Sequence, residues 1–141
     1  MNPKMIFYPL FGQVMLTILV WFYMYYERIS EMKKKRVRTQ DLADAGYAAA
    51  TLKESVNSSD NLENLFEIPI LFYVAIFVIF VLGLGDFIYL YLASAYVVLR
   101  AAHSVIHCTY NKVIHRFATY ALSTLVLWAI WTRIGIQLFS N

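Results

Sequence analysis

Four long apolar stretches constrain the fold of this chain more than any other feature. We place them at about residues 5–26, 62–84, 87–108 and 117–139, each near the roughly 20 residues that a membrane-spanning helix needs. Charged residues are only 15 % of the chain, whereas soluble domains contain about 25 %. Runs this long do not alternate as the strands of a membrane barrel must. The sequence therefore predicts an all-α, integral membrane four-helix bundle.

The 141 residues are enough for one domain, so we expect a single unit over residues 1–141. The first apolar stretch is too long for a cleavable signal peptide. Its end also carries the bulky Trp21, Phe22 and Tyr23 instead of small cleavage-site residues. We therefore expect it to remain as a helix. The single cysteine, Cys108, excludes a disulfide framework and a cysteine-only zinc site.

Basic residues are concentrated in two of the three connections. The segment at about residues 27–61 holds seven of them, and the third connection holds Lys112 and Arg116. With four spans, these two connections lie on the same side. The positive-inside rule then predicts that both are cytoplasmic and that both termini lie outside.

The long connection also has local signals. Its basic run, residues 33–38, is expected to set the topology and to contact anionic lipid headgroups, and it is too short to indicate nucleic-acid binding. The alanine-rich residues 41–52 predict a short helix on the membrane surface. Residues 57–60 supply side chains that can cap the second span.

Polar and ionisable side chains inside spans are costly and mark functional sites. Here they fall in three groups, each on one helix face: Asn64 and Glu67, then Arg100, His103 and His107, then Arg116 and Tyr120. With a rise of about 1.5 Å per residue, all three groups lie in the cytoplasmic half of the bundle. This placement predicts a polar cavity that opens to the cytoplasm.

Simpler interpretations stand beside that one. In such a structural role, Glu67 and Arg100 would form an ion pair that only holds two spans together. His103 would form a hydrogen bond between helices. Arg116 beside two histidines is harder to explain without an anion or a thiolate. We expect Arg133 to extend to the lipid headgroups. We expect Asp86 to cap the third span.

A metal site is not expected. His103 and His107 have helical i, i+4 spacing, but no glutamate follows His103 as in a zinc protease helix. Cys108 points about 100° away from His107 on a helix.

Taken in order, the polar motifs resemble those of the MAPEG family, the membrane-associated proteins of eicosanoid and glutathione metabolism. The matching segments are Asn64-Leu-Phe-Glu67-Ile-Pro69 and Arg100-Ala-Ala-His103-Ser-Val-Ile-His107, followed by Arg116 and Tyr120. Their form resembles the bacterial members, which implies a bacterial inner membrane protein.

The resemblance implies a homotrimer that binds glutathione between neighbouring subunits, with a lipophilic substrate entering from the membrane. Arg116 would stabilise the glutathione thiolate. Arg100 and Glu67 match the pair that ties two spans, Asn64 and His103 match cavity-lining positions, and Tyr120 matches a tyrosine that contacts glutathione. His107 stands where prostaglandin E synthase-like members have a tyrosine.

Four positions depart from the family pattern. Asp60 and Glu63 replace arginines of glutathione-using members, Phe117 replaces a serine, and Pro69 comes one residue early. Arg28 is a candidate for the missing cation. Three hypotheses follow: a glutathione-dependent transferase or peroxidase, a non-catalytic lipid-binding or scaffold protein, and an enzyme that uses another anionic thiol cofactor.

Overall fold

The computed structural model describes residues 1–140, which are 84 % helical and contain no strand. Short 3-10 helices at Pro3–Ile6 and Thr39–Ala43 precede the first two α-helices. The α-helices are α1 (Phe7–Lys35), α2 (Ala45–Thr51), α3 (Val56–Leu65), α4 (Pro69–Val81), α5 (Phe87–Cys108) and α6 (Val113–Phe139).

Four helical segments in the described part of the chain are long and apolar enough to cross a membrane: Pro3–Lys35, Val56–Val81, Phe87–Cys108 and Val113–Phe139. This confirms the predicted all-α membrane four-helix bundle. Its core lies among α4, α5 and α6, where the rings of Phe72 and Tyr96 stack with their centroids 4.5 Å apart. Ile6, at the start of the chain, completes this core.

The first connection is shorter than predicted. Residues 27–35 were expected in a loop, but they extend α1, because the Glu, Arg, Met and Lys side chains there favour a helix. The helix ends at Arg36, whose φ of 54° is left-handed. The connection between spans therefore runs over residues 36–55, and the predicted short helix within it is α2.

The second span is broken in the middle of its polar motif. Helix α3 ends at Leu65, and α4 restarts at Pro69, which suits a first helical position because proline has no N–H to leave unpaired. The prediction that residues 57–60 cap this span was wrong, since they lie inside α3. Its start is fixed by the buried carboxylate of Glu31, which accepts from the N–H and the hydroxyl of Ser55 at 3.0 and 2.9 Å.

Asp86 holds the start of α5, as predicted, by accepting from the N–H of Tyr89 at 3.0 Å. The same carboxylate receives two hydrogen bonds from Arg133, at 2.8 and 2.5 Å, and the guanidinium lies 4.2 Å from the ring centroid of Tyr89. The expected extension of Arg133 to lipid headgroups was therefore wrong, because a carboxylate lies within its reach. This contact joins the start of α5 to the end of α6.

Candidate functional site

A cavity of about 230 Å³ brings together residues from three of the spans. Four of the six side chains that line it are predicted site residues: Asn64 of α3, His103 of α5, and Arg116 and Tyr120 of α6. The other two, Val113 and Phe117, are apolar, and each is about two-thirds exposed. Helix α6 begins at Val113 instead of 117, so Arg116 projects from the first turn of a formed helix. The cavity thus has a polar wall and an apolar rim.

Arg116 is held by neutral partners. Its Nη1 donates to Oδ1 of Asn111 at 2.9 Å and lies 3.2 Å from Nε2 of His107. No carboxylate lies within 4.0 Å of it in the described part of the chain. Because neutral partners orient the guanidinium without cancelling its charge, the cavity wall carries a positioned positive charge.

Asn111 connects this arginine to α3. It lies in the turn between α5 and α6 with a left-handed φ of 44°, which asparagine tolerates better than most residues. Its Nδ2 donates to Oδ1 of Asn57 at 2.8 Å, while its own Oδ1 receives Arg116. One amide therefore fixes the start of α6 relative to α3.

His103 presents an unused acceptor. Its Nδ1 lies 3.0 Å from the carbonyl oxygen of Arg116, and a carbonyl can only accept, so Nδ1 carries the proton. In the neutral ring Nε2 is then an acceptor. That atom is buried and has no partner among residues 1–140. A ligand that offers an N–H, O–H or S–H group would satisfy it.

Arg100 is fully buried beside the cavity. Its Nη2 donates to the carbonyl oxygen of Asn64 at 2.7 Å, and its Cζ lies 5.4 Å from the ring centroid of Tyr120. Its Nε and Nη1 have no partner in the described chain. No carboxylate lies within 4.0 Å of Arg100 among residues 1–140, and a buried cation of this kind favours an anion nearby, because the low dielectric strengthens the attraction.

The expected ion pair between Glu67 and Arg100 was wrong for the single chain. Glu67 lies in the break between α3 and α4, and its side chain is exposed. The break ends the helical spacing that had placed Asn64 and Glu67 on one face, and no ion pair of Glu67 occurs within residues 1–140.

Three other charged residues do not line the cavity. Arg28 and Asp60 line a separate cavity of about 130 Å³ formed with α2 and the start of α3, and Glu63 is exposed. Neither of the two acidic replacements lines the cavity that holds Arg116. Arg28 does not add a cation there either.

Sequence reasoning missed several polar groups around this site. Besides Asn57 and Asn111, it missed Asn61, which accepts from the Ser104 hydroxyl at 3.2 Å and donates to Sγ of Cys108 at 3.4 Å. Asn61 precedes Asn64 by three residues, so the shared helix face was a usable signal. Residues 1–140 hold no cluster of three or more His, Cys, Asp or Glu side chains that could bind a metal ion.

Comparison with known proteins gives one match. The model of the MAPEG family matches residues 6–136, which is nearly the whole chain; the match contains the second and third spans and all but a few end residues of the first and fourth. No curated protein and no solved structure matches the sequence significantly.

Proposed function

Because the chain belongs to the MAPEG family, which includes glutathione transferases and peroxidases, we propose that it is a membrane-embedded glutathione-dependent enzyme. Its substrate would be a small hydrophobic electrophile or a lipid hydroperoxide. The observation that carries the proposal is the positively charged Arg116, oriented by Asn111 and His107 at the wall of a cavity that also holds the free acceptor of His103.

The residues fit glutathione in chemistry. Its thiol would bind near Arg116, because a nearby guanidinium favours the thiolate. Nε2 of His103 would accept an amide or ammonium N–H, and the charges of Arg100 and Arg116 would attract carboxylates. When bound, glutathione supplies the sulfur nucleophile that either bonds to an electrophile as its leaving group departs or reduces a hydroperoxide to an alcohol and water, two glutathione molecules being oxidised to their disulfide. Arg116 acts by charge and does not accept a proton.

The cavity fits glutathione only in part. Its 230 Å³ is below the roughly 300–1,000 Å³ of ligand pockets, so one chain would hold only part of a tripeptide. We propose that a second subunit completes the site in a homotrimer. Any contact of Glu67 or Arg28 with glutathione would be made across that interface, since neither side chain lines the cavity of its own chain.

The apolar rim supports a hydrophobic second substrate. Val113 and Phe117 are 66 % and 65 % exposed on a membrane-spanning helix, and both line the cavity. Lipid-soluble molecules would reach the polar wall past these side chains. Because the basic connections share one end of the bundle, we propose that this end is cytoplasmic, with both termini outside, in a bacterial inner membrane.

A second candidate is a non-catalytic lipid-binding or scaffold protein. Phe117 favours it, because an exposed ring occupies the position next to Arg116 where glutathione-using members have a serine. A third candidate keeps the same cavity but binds another anionic thiol, since the contacts of Arg116 and His103 recognise charge and hydrogen-bonding groups that many thiols share.

Thermal denaturation of the purified protein in detergent, with glutathione and with an analogue in which a methyl group replaces the thiol, tests the proposal. Glutathione at 100 times its dissociation constant should stabilise the fold by about 2.7 kcal/mol. The analogue should stabilise it less, and Arg116→Ala should reduce this difference. No shift at millimolar glutathione would contradict the proposal. Stabilisation by a different anionic thiol alone would support the third candidate instead.

A further inference from the structure

The basic run after the first span divides into paired and unpaired cations. Three of its side chains form ion pairs inside the chain: Lys34 with Glu54, Lys35 with Glu31, and Arg38 with Asp41. Lys33 and Arg36 have no carboxylate within 4.0 Å in residues 1–140. Their charges are therefore available for an external anion.

The two unpaired cations line one cavity of about 360 Å³. Ile29, Met32, Val37 and Thr39 line the rest of it. On α1, positions 29, 32 and 33 follow the i, i+3, i+4 spacing of a single helix face, and Arg36 comes directly after the end of the helix. Glu31, which is buried against the connection, points to the opposite face. The cavity therefore lies on the outer side of α1.

The carbonyl oxygens at the end of α1 do not compete with an external anion for these two cations. The carbonyl oxygens of Met32 and Lys33 accept from the N–H groups of Val37 and Arg36 at 3.0 and 3.3 Å. The left-handed φ of Arg36 turns the chain sharply at this point. The cavity thus combines two cationic side chains with helix carbonyls that already have donors.

Apolar side chains lie directly below the charges. Ile29 precedes Lys33 by one helical turn, which is roughly 6 Å along the axis. Its side chain is 47 % exposed, although it lies on a membrane-spanning helix. Positive charge at the end of a membrane-spanning helix, one turn beyond an exposed apolar side chain, matches a phosphate that is joined to an acyl chain.

We propose that Lys33 and Arg36 bind the phosphate of an anionic phospholipid whose acyl chain packs against Ile29 and Met32. None of these residues lines the cavity of Arg116. The proposed lipid site is therefore independent of the proposed glutathione chemistry, and either can fail without the other.

Native mass spectrometry of the detergent-purified protein, titrated with phosphatidylglycerol or phosphatidylcholine, tests this site. The double variant Lys33→Gln, Arg36→Gln should bind phosphatidylglycerol roughly tenfold more weakly than the wild type. The matched control Lys34→Gln, Arg38→Gln removes the same charge from the same segment, but from side chains that are already paired. It should bind like the wild type.

Equal weakening in both double variants would overturn the proposal, because it would indicate diffuse attraction to a basic surface. Equal affinity of the wild type for the two lipids would do the same. Inorganic phosphate is the second probe: if millimolar phosphate displaces the lipid completely, the site is a phosphate site without an acyl-chain contact. Ile29→Gln should weaken lipid binding and leave phosphate binding unchanged.

Discussion

Nη1 of Arg116 lies 3.2 Å from Nε2 of His107. A guanidinium can only donate, so Nε2 is the acceptor and the neutral imidazole carries its proton on Nδ1. The histidine and the arginine therefore form a neutral–cation hydrogen bond, in which His107 orients the charge of Arg116 without neutralising it. In the proposed function, this makes His107 a positioning residue.

Replacement of His107 by phenylalanine should lower the turnover of chloronitrobenzene conjugation with glutathione by about tenfold. A hydrogen bond to a charged group contributes about 1.5–3 kcal/mol, and here it orients Arg116. His107→Gln offers an amide acceptor and should recover most of the turnover. If His107→Phe matches the wild type, the contact has no role in activity.

Asn111 offers a second, separable test of how Arg116 is oriented. Glycine adopts the left-handed φ of this position without strain, so Asn111→Gly removes the side chain while keeping the turn. We expect turnover to fall by roughly tenfold, since Arg116 loses its 2.9 Å acceptor. Asn57→Ala, which removes only the distant end of this chain of contacts, should have a smaller effect. Equal turnover in Asn111→Gly and the wild type would contradict the orienting role of Asn111.

The sequence predicted the class of fold and most of the cavity for physical reasons. Apolar runs of membrane length leave helices as the only way to satisfy the backbone, and polar side chains three or four apart must share a helix face. These two rules predicted that four side chains would lie close together, and all four line the cavity: Asn64, His103, Arg116 and Tyr120.

The failures come from contacts between residues distant in sequence. The break before Pro69 turns Glu67 outward, and no local pattern indicates that Arg100 would bond the carbonyl oxygen of Asn64 instead. The pairing of Asp86 with Arg133 depends on how α5 and α6 align, which hydropathy does not determine.

Acid should weaken the ion pair between Asp86 and Arg133, which joins the start of α5 to the end of α6. The hydrogen bonds from Arg133 hold the pKa of the Asp86 carboxyl below its ordinary value, and the N–H of Tyr89 lowers it further. The contact therefore contributes stability above about pH 3.9, the ordinary pKa of aspartate, and this contribution is lost as the pH falls through the lower pKa of the folded protein.

Asp86→Asn keeps a capping side chain but removes the charge. At neutral pH it should lower the melting temperature in detergent by a few degrees, since a partly exposed pair contributes about 1 kcal/mol. The difference from the wild type should shrink as the pH falls below about 3.9, the ordinary pKa of aspartate, and through the lower pKa of the folded protein. A difference that stays constant between neutral pH and acid would contradict the role of the carboxylate charge.

The buried carboxylate of Glu31 should control the order of the connection at residues 36–55. It is 1 % exposed and accepts from the N–H groups of Glu54 and Ser55 at 2.9 and 3.0 Å. Glu31→Gln should cost about 3 kcal/mol, because it breaks a buried, hydrogen-bonded charge pair with Lys35. Hydrogen exchange of this connection should accelerate.

The matched control for that variant is Glu54→Gln, which removes an exposed partner of Lys34 and should change exchange little. If both variants exchange at the same rate, the burial of Glu31 does not hold the connection.

The most direct test of the role of Arg116 is the ionisation of bound glutathione, followed by the ultraviolet absorbance of its thiolate as a function of pH. In the wild-type protein the thiol pKa should fall by about one unit or more relative to free glutathione, because the oriented guanidinium favours the charged form. In Arg116→Gln it should return to the free value. An identical titration in both proteins, with glutathione bound to each, would contradict the assignment of Arg116 as the group that stabilises the thiolate.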